Sequence, residues 1–278
     1  MPYPNSPEKD KGPAEIDITR PHPARTWDYY LGGKDNFAAD RAAADQVIAA
    51  WPGMRVSARE SRKFIGRAVQ YLAGEAGIDQ FLDIGSGLPT ASNVHEVAQA
   101  INPAARVVYV DNDPLVLVHA RALLTSSPEG KCAYIQADLR EPEKILSAPA
   151  TRETLDFTRP IALILVAVVH FLLAEDEPAR IIKTLVDALP SGSYVAASHG
   201  STEYGTQEEA DVVVRLIQAS GVRIAPRDST DFGNLVFDGL SLVAPGVVLL
   251  PEWRPNPNGG PRPGAREVGT NAGVARKP

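Results

Sequence analysis

One cysteine in 278 residues, Cys132, has no second cysteine for an internal disulfide. Its setting in an apolar strand pattern reads as a buried structural thiol rather than a nucleophile. Five scattered histidines and that single thiol offer no metal-ligand spacing. The longest apolar run, Ile161 to Val169 and extendable to Leu173, is too short for the ~20 residues that cross a bilayer. Met1 to Pro13 has no apolar core of the kind a signal peptide needs, so a cytoplasmic protein is expected. A surplus of positive charge is missing too. The net charge is −6 and the pI near 5.4, which argues against a general DNA or RNA footprint and leaves only a local basic groove for nucleic acid.

What is present is 44% hydrophobic and 22% charged residues, enough for a sizeable core, in the alternating strand and helix patterns of one domain. Their centre is the stretch from Gln80 to Asp113. An apolar strand, Gln80 to Ile84, runs into Gly85-Ser86-Gly87, where glycine permits backbone angles and a ligand approach that a Cβ forbids. A helix is expected to start at Thr90 or Ser92. After the Asn102-Pro103 breaker, a second strand from Arg106 to Val110 ends on Asp111-Asn112-Asp113-Pro114. Pro89-Thr90 stands where a dinucleotide fingerprint ends on its third glycine, so the pyrophosphate version fails. A nucleoside without phosphates, such as S-adenosylmethionine, needs only the glycine turn and a carboxylate for its ribose hydroxyls. Asp111 lies 24 residues beyond Gly87, close to the offset of roughly 20 at which such an acid is found. Its plainer reading is a strand-end turn residue.

Residues 1 to 20, rich in proline and charge, are expected to form a mobile tail. Arg25 to Phe37 gathers Trp27, Tyr29 and Tyr30 before Gly32-Gly33. It reads equally as a lid or as a helix turn that buries Trp27 and Tyr30 and stops at the glycines. A short helix follows from Asp40 to Ala50. Ser57 to Glu60 reads as a capping box opening an amphipathic helix that ends at Gly74, with Arg59, Arg62, Lys63 and Arg67 as solvated surface. A helix from Pro114 to Leu124 precedes a third strand, Cys132 to Gln136. That strand leads to Asp138, an acid that can accept a bond from an adenine amine or cap the next helix. A fourth strand, Pro160 to Leu173, exits at His170, and a fifth ends at His199. Strand ends are where ligands of open α/β sheets gather, and equally where a structural histidine sits. Helices are expected from Pro178 and over Gln207 to Ala219, the latter turning Val212, Val213, Leu216 and Ile217 inward. Leu240 to Val243 and Val247 to Leu250 are spaced as an antiparallel hairpin, and residues 255 to 278 read as an irregular tail.

Five segments carry a family resemblance: Leu31 to Phe37, Phe81 to Thr90, Asn93 to Val97, Val108 to Pro114 and Gln136 to Arg140. Together they resemble the class I S-adenosylmethionine-dependent methyltransferases and, more narrowly, a bacterial family of S-adenosyl methyltransferases. The resemblance runs from Arg20 to the late strands. It implies an α/β fold: a Rossmann-like three-layer sandwich on a mostly parallel seven-stranded sheet closed by the hairpin, with a helical extension over residues 21–78 ahead of a core over 79–254. It implies S-adenosylmethionine as cofactor and S-adenosylhomocysteine as product, with Asp83, Gly85, Ser86, Gly87, Asp111, Asn112, Asp138 and Leu139 around them. Tyr29, Tyr30, Gly33, Lys34, Asn36 and His199 are the substrate or lid candidates, and His170 is the first choice for a base if a hydroxyl or amine must lose its proton.

The family leaves the acceptor undefined. A small molecule is expected, with neither nucleic acid nor membrane as partner. Two rivals stay open. A sensor that binds S-adenosylmethionine without transferring its methyl group would be favoured by a pocket sealed over the methyl by the Trp27 to Phe37 segment. A nicotinamide-dependent oxidoreductase, disfavoured by Pro89-Thr90, would declare itself by binding NAD.

Overall fold

The computed structural model describes residues 16 to 278 apart from Ala91 and Leu124; the tail expected over residues 1 to 20 lies, as far as residue 15, outside the described residues. Three helices come first: α1 (Pro23–Leu31), α2 (Ala38–Ala50) and α3 (Met54–Gly74). Proline opens α1, where its missing N–H costs nothing, and Gly32 ends it in the left-handed region at φ 86°. The amphipathic α3 begins three residues earlier than its sequence signal. Ser57 is therefore no cap: its hydroxyl lies inside the helix, 2.8 Å from Thr270 Oγ1.

The sheet then builds as β1 (Gln80–Ile84), α4 (Val94–Ile101), β2 (Arg106–Asp111), α5 (Pro114–Leu123), β3 (Lys131–Gln136), α6 (Pro142–Ser147), α7 (Pro149–Thr154), β4 (Ala162–Leu165), α8 (Pro178–Ala188) and β5 (Tyr194–Gly200). Asn93 rather than Thr90 or Ser92 precedes α4, and its N–H is met by Glu96 Oε2 at 2.9 Å. β4 is shorter than its apolar run. It ends at Leu165, Ala167 turns at φ 56°, and His170 sits in a one-turn 3-10 helix, Val169–Phe171. The remaining elements are α9 (Gln207–Ala219), α10 (Ser229–Phe237), β6 (Ser241–Leu242), β7 (Val248–Leu249), α11 (Ala265–Val268) and β8 (Thr270–Arg276).

Strands lie in the order β3-β2-β1-β4-β5-β8-β6, with β7 also on β8; the first five are parallel and β8 runs antiparallel to β5 from Tyr194↔Arg276 to Gly200↔Thr270. Three expectations are corrected. Among the described residues the sheet has eight strands, not seven, and β6 and β7 form no hairpin, because each pairs with β8. Residues 255 to 278 are no irregular tail, because they supply α11 and β8, and β8 is buried through Ala275. A strand of Thr, Asn, Ala, Gly, Val and Ala lacks the large side chains that announce a core strand. It needs them small: a Cβ on Gly273 would stand 3.0 Å from the Phe237 ring.

Side chains alternate between two apolar layers, as a strand's period of two requires. Phe81, Val107 and Ile164 pack with Phe64 and Leu72 of α3, Ala98 of α4 and Trp253. Leu82, Val108 and Leu163 pack with Ile181 and Leu185 of α8 and Phe232 of α10. Trp253 is fully buried edge-on to Phe64, and Arg67, expected on the surface, donates to the carbonyls of Leu250 and Trp253 at 2.8 and 2.9 Å. Among the described residues no helix is long and apolar enough to cross a membrane.

Candidate active site

The carboxyl ends of β1 to β4 open onto a cleft of about 370 Å³, within the usual range of ligand pockets. Gly85, Ser86, Gly87, Asp111, Asn112, Asp138 and Leu139 all line it. Gly85 and Gly87 take φ of 77° and 66°, and the N–H groups of Gly85 and Ser86 donate to Val110 O. Left-handed backbone at both positions calls for glycine. A Cβ on Gly85 would meet Val168 at 2.6 Å, whereas the space beside Gly87 is empty to 4 Å, the open side of the turn.

Asp111 receives the N–H of Gly87 on Oδ2 at 2.8 Å and that of Asp113 on Oδ1 at 3.0 Å. A carboxylate oxygen accepts two bonds, so one position on each oxygen stays free for a ligand hydroxyl. Burial raises the Asp111 pKa against those two N–H groups. Asp138 is differently placed: burial acts upward, but the hydrogen bonds of Arg140 and Asn112 outweigh it and hold the carboxyl at about 2.

Asp83, expected against the ligand, lies beneath the turn. It is 4% exposed and faces a small side cavity shared with Arg62, Asn93 and Tyr109. Burial pushes its carboxyl up to about 7 even with the Arg62 guanidinium nearby. Arg62, expected in solvent, lines both that cavity and the main cleft; it donates to Leu88 O at 3.1 Å while its Nε is buried without a partner. The sequence signal, a basic stripe on α3, was present but could not say which of its members the packing turns inward.

The helical extension is clamped to the acidic turn. His22 Nδ1 and Arg25 Nε approach Asp113 Oδ2 at 3.0 and 3.2 Å, and Asp40 accepts the N–H groups of His22 and Phe37 at 2.8 Å each. The clamp sets Trp27, Asp28 and Leu31 into the cleft wall. Gly33, Lys34 and Asn36 line neither the cleft nor the second cavity. Gly33, Asp35 and Asn36 form a collar on Asp28: Gly33 N donates to its backbone carbonyl, and its Oδ2 accepts from Asp35 N and Asn36 Nδ2 at 2.9 and 2.8 Å. A Cβ on Gly33 would strike that carboxylate at 1.9 Å. Tyr29 also points away, with its hydroxyl on Asp45 and Arg55 over its ring.

A second cavity of about 270 Å³ adjoins the first, and Trp27, Ser61, Ala167 and Phe171 belong to the walls of both. Tyr30, Trp51, Tyr204 and the apolar side of α9 (Val213, Ile217) complete it. No residue of α9 is fully buried; of the face expected to turn inward, Val213, Leu216 and Ile217 pack against Tyr30, Ala44, Val47 and Ala58, and Val213 and Ile217 also border this space. His170 lines the cavity with Nδ1 buried and unpartnered; burial, reinforced by His199 and Arg227, holds the ring neutral with a pKa of about 3. His199 does not line it. Fully buried behind His170, it donates from Nδ1 to Gly200 O and accepts from Arg227 Nη1 at 3.1 Å, and Arg227 also donates to the carbonyl of Leu172 at 2.8 Å. Among the described residues no group of His, Cys, Asp and Glu is placed to hold a metal ion.

The cleft fits S-adenosylmethionine by its donor set: a turn open beside Gly87, a carboxylate with free acceptor positions, and a buried guanidinium with an unpartnered nitrogen. Most of the chain is similar to solved structures, among them the following. A DUF574 family protein from Streptomyces avermitilis shares 45% identity at a TM-score of 0.90, over 95% of this chain and 100% of that one. A Thermobifida fusca protein provisionally assigned to the methyltransferases shares 43% identity at 0.86, over 94% and 96%. A methyltransferase of Anabaena variabilis, 13% identical at a TM-score of 0.50 over 95% and 99%, shares the fold alone. No curated protein matches the chain. Residues 9–278 match the family described as S-adenosyl methyltransferase, and the chain is a member of that family, with S-adenosylmethionine as its cofactor.

Proposed function

We propose that this S-adenosylmethionine-dependent methyltransferase acts on a small, largely apolar molecule held in the second cavity. The observation that carries the reading is the shared wall: Trp27, Ser61, Ala167 and Phe171 border the cofactor cleft on one side and the apolar cavity on the other. A sensor would call for the Trp27 to Phe37 segment to seal the methyl side, and here Trp27 borders open space instead. The cavity therefore favours transfer over sensing.

When bound, the cofactor supplies an electrophilic methyl group on a sulfonium whose departure leaves a neutral sulfide. The chain's own contribution is alignment and exclusion of water. Asp111 would accept hydrogen bonds from the ribose hydroxyls, Leu139 and Asn112 would edge the base, and Arg62 would hold the carboxylate of the amino-acid end. Asp138, held in place by Arg140, would border the adenine. His170 presents an unprotonated imidazole to the acceptor, poised to take a proton only as the methyl arrives. Calorimetric titration with S-adenosylmethionine, S-adenosylhomocysteine and NAD tests the cofactor half. Both sulfur nucleosides should bind and NAD should not, and Asp111→Ala should weaken them about tenfold or more, as loss of hydrogen bonds to a charged group does. Binding of NAD alone would overturn the reading.

A further inference from the structure

The second cavity holds a detail that apolar packing does not explain. Ser61, 1% exposed and inside α3, has its Oγ buried with no partner, and His170 Nδ1 is in the same condition. Both residues line one cavity, and each carries there a buried polar atom that the protein leaves unpaired, where most such atoms find a partner. Ser61 also belongs to the walls of both cavities, which places the residue at their junction. Five aromatic rings, Trp27, Tyr30, Trp51, Phe171 and Tyr204, stand among the aliphatic side chains of the walls. Flat rings stack or sit edge-on against such walls. The fixed charges on the lining, Glu209 and Arg266, neutralise each other in an ion pair at 2.8 and 2.9 Å.

Resting on the methyltransferase reading above, we infer that the acceptor is an uncharged planar ring bearing a hydroxyl group, which Ser61 and His170 seat at the junction. Ser61 donates to the hydroxyl oxygen, that hydroxyl donates to His170 Nδ1, and one oxygen lone pair remains for attack. The new bond joins that oxygen to the methyl carbon as the carbon–sulfur bond breaks, its electron pair leaving on the sulfide. The hydroxyl proton passes to His170 and then to water. A protonated ether is far more acidic than an imidazolium, so even a weakly basic histidine accepts that proton once the methyl has arrived.

The test uses 2-naphthol, its isostere 2-methylnaphthalene and the anion 2-naphthoate as probes, titrated by fluorescence into the full-length protein with and without S-adenosylhomocysteine. Wild-type protein should prefer 2-naphthol over 2-methylnaphthalene by about tenfold, the effect of one to two hydrogen bonds, and should bind 2-naphthoate least. Ser61→Ala and His170→Phe should each bring the preference to within about threefold. Ser61→Ala removes an unpaired buried hydroxyl, so its melting temperature should hold or rise. Equal binding of the two neutral probes by wild type, a preference that survives in both variants, or tightest binding of the anion would overturn the proposal. Failure to bind S-adenosylhomocysteine would count against the cofactor reading alone, since the naphthol preference is read without it as well.

Discussion

Asp83 and the histidine pair His170 and His199 act on stability in opposite pH ranges. Burial lifts the Asp83 carboxyl from 3.8 to about 7 in the folded protein. Between those values the folded state keeps a proton that the unfolded chain has released, so stability falls as pH rises through the window. Asp83→Asn should remove that decline, leaving Tm at pH 4 near wild type and raising it at pH 8. His170 and His199 are lowered from 6.5 to about 3 and about 4, so below about pH 6.5 the unfolded chain takes up protons first and stability falls as pH drops. His170→Phe should flatten the acid limb of a Tm against pH curve, and an unchanged limb would show that the histidine is freely solvated. Residues whose chemistry is set by neighbours in sequence were legible beforehand: Gly85 and Gly87 by their turn, Asp111 by its distance from it. Ser61, Arg62 and Asp28 were not, because what they face depends on how α1 and α3 dock, and that contact is not local.

At the scale of elements, β8 shows where hydrophobic patterning stops being informative. A strand enclosed by neighbours on both edges and by Phe237 on one face can use alanine and glycine, and then looks like loop. Its small residues are a packing requirement. Gly273→Val should cost about 1–3 kcal/mol by overpacking against Phe237, and Trp253→Ala about 3–5 kcal/mol by opening a cavity beside Phe64; denaturant midpoints measure both, and a neutral Gly273→Val would show that the contact gives way. The five parallel strands and helices α2, α8 and α9 were readable from periodicity alone. The fourth strand was overextended, since the apolar run of Pro160 to Leu173 covers two conformations, a strand and a 3-10 turn. Periodicity carries no mark of the Ala167 turn between them.

Across the whole molecule, the two cavities share the wall of α1, α3 and the turn after β4 but differ beyond it. The ends of β1 to β3 and their loops complete the cofactor cleft, while α2, α9 and the stretch around α11 complete the second cavity. The α9 part of the second cavity's wall is the less firmly held. It has no fully buried residue and is joined to α11 by the exposed Arg266–Glu209 pair, a contact type of small stabilising effect. Hydrogen exchange should find α9 amides the fastest of the long helices and β1, β4 and β5 the slowest. A naphthol probe in the second cavity should slow α9 without altering β1, and uniform protection across the chain would rule out this unevenness.

The two-sided enclosure of β8 also bears on synthesis. On the ribosome, β5 emerges well before Thr270 is made, so the growing chain carries a parallel sheet with one bare flank that includes Val195 and Ala197. β6 and β7 emerge in between, yet at two residues each, and pairing only with β8, they cannot cover it. An uncovered strand edge is a template for any passing segment. The nascent protein therefore meets its greatest danger of mispairing in that interval, and a holding chaperone would find its natural target there.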